Sequence, residues 1–199
     1  MTLGSWRRAT VVGAASAAAG KERTMNAADV ATVSGPHAGL LDWLASHRIE
    51  HELHEHPLTY TARETARAEG VDPATFAKTL GIATDDGRHA LVVVDATDQV
   101  DLVKARRVLD AGRVRLMTEA ELTEWLPGCD VGTMPPVGEL FGLPVYADFA
   151  VRADPVITFH AGSHRFAVLV DRGAWERAAH VTYGDLAIDV DTRPAWIRS

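Results

Sequence analysis

The chain has 199 residues, of which 47% are hydrophobic and 24% charged, with a formal net charge of −7. That length suits one domain with a sizeable core and excludes two comfortable ones. The acidic balance excludes a protein that grips a long stretch of nucleic acid by overall charge, because phosphate neutralisation supplies most of that affinity.

An RNA partner would have to be met through a small or local basic patch, and no DNA partner is expected. The single cysteine, Cys129, excludes an intrachain disulfide. It fits a reducing compartment, so a cytoplasmic protein is expected.

At the N-terminus, Trp6, Arg7 and Arg8 precede a weakly apolar run over residues 9–19. The run mimics a short secretory signal, but it is poor in large apolar side chains and too short to span a bilayer. Residues 1–35 are therefore read as an extension outside the fold, or as the product of an early start with Met25 as the true beginning. Residues 36–199 form the expected domain.

Ser34, Gly35 and Pro36 open the ordered part. Leu40, Leu41 and Leu44 have helical spacing over residues 37–47. Residues 49–54 alternate as a strand. Thr61 with Glu64 forms a capping-box pattern that opens a helix to about Glu69, with Gly70 as its stop. Residues 76–84 and 89–94 are strands around Asp85, Asp86 and Gly87, the strongest hairpin signal in the chain.

Residues 101–109 predict a short helix, and residues 114–116 a brief strand. Thr118 with Glu121 repeats the capping box before a helix ending near Trp125. Residues 127–138, rich in Gly and Pro, predict an irregular loop. A short strand at 145–146 comes next. Two more, 156–160 and 165–170, flank a turn of Ala161, Gly162, Ser163 and His164. A helix near Trp175 and a terminal strand over residues 186–190 complete the pattern. Helices and strands mix without regular alternation, so the class is α/β of the mixed, α+β-like kind.

Five features carry chemistry. Lys78 stands inside an apolar strand, where a lysine needs a reason. Either it points to a wet sheet face, or it places a compact cation over an anionic or polarised oxygen. Second, Gly132, Thr133, Met134, Pro135, Pro136, Val137 and Gly138 form a loop with a rigid middle and permissive ends. It suits a tight connection or a set of main-chain donors aimed at a carbonyl oxygen. Third, His160 stands at a strand end before Gly162 and Ser163, placed either to orient water or a substrate amine or simply to be solvated.

Fourth, His51, His54 and His56 suggest metal, but their spacing matches no common zinc pattern and no metal is expected. Fifth, Lys104, Arg106, Arg107, Arg113 and Arg115 gather within twelve positions. They form either a solvated helix face or a local phosphate-contact patch.

Taken in order, His56-Pro57-Leu58-Thr59-Tyr60-Thr61, Gly70-Val71-Asp72-Pro73, Phe76-Ala77-Lys78-Thr79-Leu80, the Gly132-x-x-x-Pro136 loop and the Ala161-Gly162 turn resemble the YbaK/EbsC family of prolyl-tRNA-synthetase-associated editing domains. The resemblance spans about residues 40–190. It implies a compact, barrel-like mixed β-sheet flanked by helices. It also implies a trans-editing hydrolase that deacylates mischarged aminoacyl-tRNA without metal or organic cofactor.

By the same resemblance Lys78 is the functional lysine, Gly132 and Pro136 hold the substrate carbonyl, and Tyr60 lines the pocket. His160 corresponds to the histidine of alanine-editing branches, although Ala161, Gly162 and Ser163 differ from the residues that succeed that histidine in those branches. Thr133, Met134, Pro135, Gly138, Gly162 and Ser163 are expected around the substrate, and Cys129 is expected to pack. The vicinal hydroxyl of the terminal ribose helps activate water in this family, so no general base is required of the chain. The expected partner is the acceptor end of an aminoacyl-tRNA, with a synthetase as a further partner. The alternative is a non-catalytic module of the same fold that binds tRNA or a synthetase.

Overall fold

The computed structural model describes residues 35–188, so residues 1–34 of the expected extension lie outside the described part. Within it, local chemistry sets the helices. In α1 (Ala38–Ser46) the His37 ring accepts from the Leu40 N–H, and Leu40, Trp43 and Leu44 are buried. In α2 (Ala62–Glu69) both halves of the Thr61–Glu64 capping box form, and Gly70 ends the helix in the left-handed region at φ 69°.

The helices α3 (Leu102–Val108) and α4 (Glu119–Trp125) are capped by Asp101 and by the Thr118–Glu121 box. The last helix, α5 (Arg172–Ala178), starts at Asp171 and buries Trp175. No helix among the described residues is long and apolar enough to cross a membrane.

The strands form two sheets. One has the order β1 (His51–Glu55), β7 (Phe166–Asp171), β6 (Val156–Ser163), all antiparallel. The other runs β4 (Val114–Leu116), β2 (Ala77–Thr84), β3 (His89–Asp95), β5 (Val145–Asp148), β8 (Thr182–Gly184). Its first three strands are antiparallel, and β5 adds to β3, and β8 to β5, in parallel. A bridge between Phe76 and Thr158 joins the two sheets where β2 begins. The fold is the mixed α/β one expected.

Alternation along β2 and β3 assigns the faces. Ala77, Leu91 and Val93 join the main core with Leu40, Leu44, Phe159, Val168 and Trp175. Ile82, Val92 and Val94 turn the other way, against Ala105 and Leu109 of the α3 region and Leu186.

Two expectations need correction. Of the terminal strand expected over residues 186–190, the described residues 186–188 show only an isolated bridge of Ala187 with Val100, and the chain pairs earlier, at β8. Leu186 is apolar because it is fully buried, and the main-chain N–H groups of Leu186 and Ala187 are taken by the Asp148 carboxylate at 2.7 and 2.8 Å. Residues 189 and 190 lie outside the described part. The turn expected at 161–164 is shorter and later, because β6 continues to Ser163 and the chain turns at His164 and Arg165.

The loop over residues 127–138 enters the core rather than skirting it. Pro135, Pro136, Val137 and Gly138 are buried, and the Trp175 indole N–H donates to the Pro136 carbonyl at 2.8 Å. A Cβ at Gly138 would lie 1.9 Å from the Leu143 carbonyl oxygen, which is backbone and cannot step aside. Gly138→Ala should therefore destabilise by about 3 kcal/mol, the upper end of ordinary overpacking. For a chain of this size that is a fall in Tm of roughly 10 °C. Thermal unfolding checks it, and an unchanged Tm would mean that the loop seats differently.

Candidate functional site

The site begins at an irregularity in β6. Pairing with β7 is regular from Val156 to His160 and resumes only at Ser163. Gly162 occupies the bulge at φ 86°, and a Cβ there would meet the His37 Cβ at 2.8 Å. Bulging turns the Gly162 peptide away from β7, and the 130–133 loop takes it up. The Asp130 N–H donates to the Gly162 carbonyl at 2.9 Å, and the Gly162 N–H donates to the Thr133 carbonyl at 2.9 Å.

The loop is closed on itself by the Thr133 N–H and hydroxyl, both donating to the Asp130 carbonyl at 3.1 and 2.8 Å. Asp130 also accepts from the His164 N–H at 3.3 Å. Between these anchors Val131 and Gly132 are exposed. Gly132 is left-handed at φ 88°, and nothing lies within 4 Å of where its Cβ would be.

Histidines gather behind the bulge. His160 is buried, with its Nε2 2.8 Å from the Thr65 hydroxyl of α2. Thr65 in turn lies 2.7 Å from the Thr59 hydroxyl. Burial, with His56 and His164 nearby, pushes the His160 pKa down to about 3, so its ring is neutral at physiological pH. His56 is also buried; one ring nitrogen donates to the Pro57 carbonyl at 2.8 Å, and its Nε2 has no partner. Tyr60 is 70% exposed and leans on His164, with ring centroids 5.3 Å apart.

Phe76, just before β2, meets the His160 ring edge-on at 5.1 Å, and Lys78 lies two residues further along the chain. Lys78 itself is half-buried and donates to the Asp98 carbonyl. Beside it Asp95 is buried, and burial together with Asp98, Asp154 and Asp148 raises its carboxyl pKa to about 7 against the opposing pull of Lys78.

The structure thus brings Tyr60, Thr133, His160, Gly162 and Ser163 into one neighbourhood, and Lys78 stands near the start of β2, two residues after Phe76. Met134, Pro135, Pro136 and Gly138 are buried at the root of the loop. Cys129 packs against the core, and burial pushes its thiol up to about 12, which leaves it protonated and a poor nucleophile. Of the 51–56 histidines, His51 contacts the Ile49 carbonyl, and His54 contacts Glu69 and Glu52.

The basic segment lies elsewhere, near the β2–β3 hairpin: Asp85 N–H donates to the Arg113 carbonyl at 3.1 Å. Lys104 pairs with Asp185 at 2.8 Å and Arg115 with Glu121 at 2.6 Å. Arg106, Arg107 and Arg113 are exposed and form no ion pair among the described residues. Sequence reasoning missed Thr65, Asp130 and Asp95. For Asp130 the available signal was its place two residues before Gly132. Thr65 and Asp95 gain meaning only from partners distant in sequence.

A family model described as an aminoacyl-tRNA editing domain matches residues 56–178. The proline–tRNA ligase of Bacillus licheniformis is 30% identical over 136 residues, which cover 68% of this chain and 23% of the ligase. That of Geobacillus thermodenitrificans is 37% identical over 97 residues, 49% of this chain and 17% of the ligase. The chain therefore spans less than a quarter of the length of these relatives.

A solved structure described as a candidate trans-editing enzyme for prolyl tRNA synthetase has a TM-score of 0.67 at 26% identity, over 75% of this chain and 95% of that one. Another, of a hypothetical protein, has a TM-score of 0.69 at 19% identity, over 75% and 99%, and shares the fold. With more than half its length matched by that family model, the chain belongs to the aminoacyl-tRNA editing domain family.

Proposed function

We propose that the chain is a trans-editing hydrolase that deacylates mischarged aminoacyl-tRNA. The carrying observation is the 130–133 loop held on the β6 bulge, which leaves Gly132 left-handed and open at its apex. The N–H groups of Asp130 and Thr133 are spent on anchoring the loop, so those of Val131 and Gly132 are the donors left for a ligand.

In the reaction, water adds to the ester carbonyl, its oxygen becomes an oxyanion held by these N–H groups, and the bond to the terminal ribose breaks. The ribose leaves as its hydroxyl and the amino acid as its carboxylate. Lys78 holds the terminal phosphate or the substrate carbonyl and neutralises charge. His160 remains neutral and positions α2 and Tyr60 around the substrate. The working partner is the acceptor end of the tRNA, and a synthetase is a further partner. The protein works in the cytoplasm and needs no metal or organic cofactor.

Lys78→Ala should lower single-turnover hydrolysis by about 100-fold, the scale of losing one charge-stabilising donor. The assay is a panel of tRNAs carrying Ala, Ser, Cys, Pro and Thr, with melting run on the same preparation. Activity kept within about threefold, or ~0.65 kcal/mol, removes Lys78 from the mechanism.

Gly132→Ala meets no atom in the free protein, so its structural cost is the left-handed backbone alone, about 1 kcal/mol. With the carbonyl bound, the added methyl occupies ligand space. Hydrolysis should fall about 100-fold while binding of uncharged tRNA is kept. A folded variant with normal turnover would leave the binding-module alternative as the better reading.

The neutral His160 has a signature in pH. The unfolded imidazole takes a proton below about 6.5, whereas the folded one waits until about 3. Between those values the unfolded state binds more protons, so stability rises with pH. The contribution is complete above about 6.5 and is lost as pH falls toward 3, at about 1.4 kcal/mol per pH unit.

Asp95 acts in the opposite sense, because a raised carboxyl pKa favours the folded state at low pH and is lost as pH rises through about 7. The comparison with His160→Gln cancels Asp95, since both proteins keep it. From pH 6.5 to 5 the parent should lose about 2 kcal/mol more stability than the variant in denaturant titrations. Parallel pH profiles would mean that the ring is solvated.

A further inference from the structure

At the hairpin end of β2 and β3, the proposed hydrolysis leaves a groove of about 250 Å³ unexplained. Thr84, Arg88, His89, Leu109, Trp125 and Tyr146 are among its walls. Trp125, the last residue of α4, is 39% exposed, large for an indole in a folded domain. It is not loose, because its ring stacks on the His89 imidazole with centroids 4.2 Å apart and planes inclined by 29°. The groove therefore offers a π surface that is already oriented.

Its lip is cationic. The Arg88 guanidinium is pinned by Asp86 and donates to the Leu109 and Asp110 carbonyls at 3.0 and 2.8 Å. Beyond α3 the chain turns back along the lip, held by the Ala111 N–H on the Arg106 carbonyl and the Asp85 N–H on the Arg113 carbonyl. Arg106, Arg107 and Arg113, in the segment flanking Leu109, are exposed and form no ion pair among the described residues. Asp85 and Asp110 are the nearby counter-charges, and Asp86 is already spent on Arg88. On a chain of net charge −7, unpaired arginines beside an exposed aromatic stack mark this patch out.

We propose that this groove binds an unpaired nucleotide of the substrate RNA, with its base on the Trp125–His89 stack and flanking phosphates on the arginines. Only a ligand both flat and polyanionic uses both halves of the site. The proposal rests on the reading of the chain as acting on aminoacyl-tRNA. His89 pairs with Ala83, and Lys78 lies five residues back along β2, about 17 Å at strand rise. The groove therefore meets a nucleotide at a distance from the ester and adds grip without touching the reacting atoms.

The test is fluorescence anisotropy with labelled uncharged tRNA, which needs no turnover. Trp125→Ala should weaken binding about tenfold, within the range for one lost base stack. Trp125→Phe should stay within about threefold of the parent. Trp125→Leu keeps apolar bulk without a π face and should bind like the alanine variant, so the Phe and Leu pair decides the matter if the alanine variant fails to fold.

Equal binding by the Phe and Leu variants, or undiminished binding by a folded Trp125→Ala, overturns the proposal. So does intact RNA binding with loss of a synthetase complex, which would make the groove a protein-docking surface. A chain that hydrolyses no ester yet binds RNA through Trp125 would lose the hydrolase reading and keep the groove. Turnover with Trp125-independent binding would do the reverse.

Discussion

The reciprocal pair of hydrogen bonds between the Gly162 peptide and the 130–133 loop is the constraint on which the rest of the site depends. The bulge breaks the register with β7 at Gly162, and only a residue tolerant of φ 86° with no Cβ can stand there, because His37 fills the space a side chain would need. The loop is thereby fixed at two points, while its root is locked in the core by Trp175 on the Pro136 carbonyl. What stays outside is a short apex with little freedom to move, and preorganised donors of this kind stabilise charge without reorganisation.

The electrostatic setting behind the bulge is a product of the same packing. His160 is forced neutral because it is enclosed between α2 and β6, and its hydrogen bond to Thr65 ties it into a hydroxyl chain. A cation there would face desolvation and two further histidines. Two residues beyond Phe76, Lys78 pulls against the burial that drives Asp95 toward its neutral form. Lys78 is thus kept near Asp95, a carboxyl that burial discourages from ionising fully.

Features closed over a few residues were legible in the sequence. Both capping boxes, the Gly70 stop and the Asp-Gly hairpin appear where their spacing placed them, since each needs only neighbours within one turn of chain. The misread parts are those whose partners lie far away. Gly162 resembled a turn because its local preference is turn-like, yet its bonds go to residues about thirty positions earlier. Leu186 resembled a strand residue, but its apolar character answers to burial, and the pairing belongs to β8 beside β5. The five cations of residues 104–115 looked like one patch. Asp185 and Glu121, supplied by other elements, take two of them away.

On the proposed function, the arginines that remain are what reconcile an acidic chain with an RNA substrate. Uniform basic charge would bind any RNA, with affinity falling steeply in salt and little discrimination. A few unpaired arginines on one lip give a weak electrostatic hold that is local, and overall negative charge opposes other orientations. On that proposal, specificity then comes from fixed geometry at two places: the apex left open at Gly132, and a π surface held in place by His89. Seating at one place then restricts, on the same proposed function, the position of the other, and a low-affinity RNA contact becomes useful for orienting an ester.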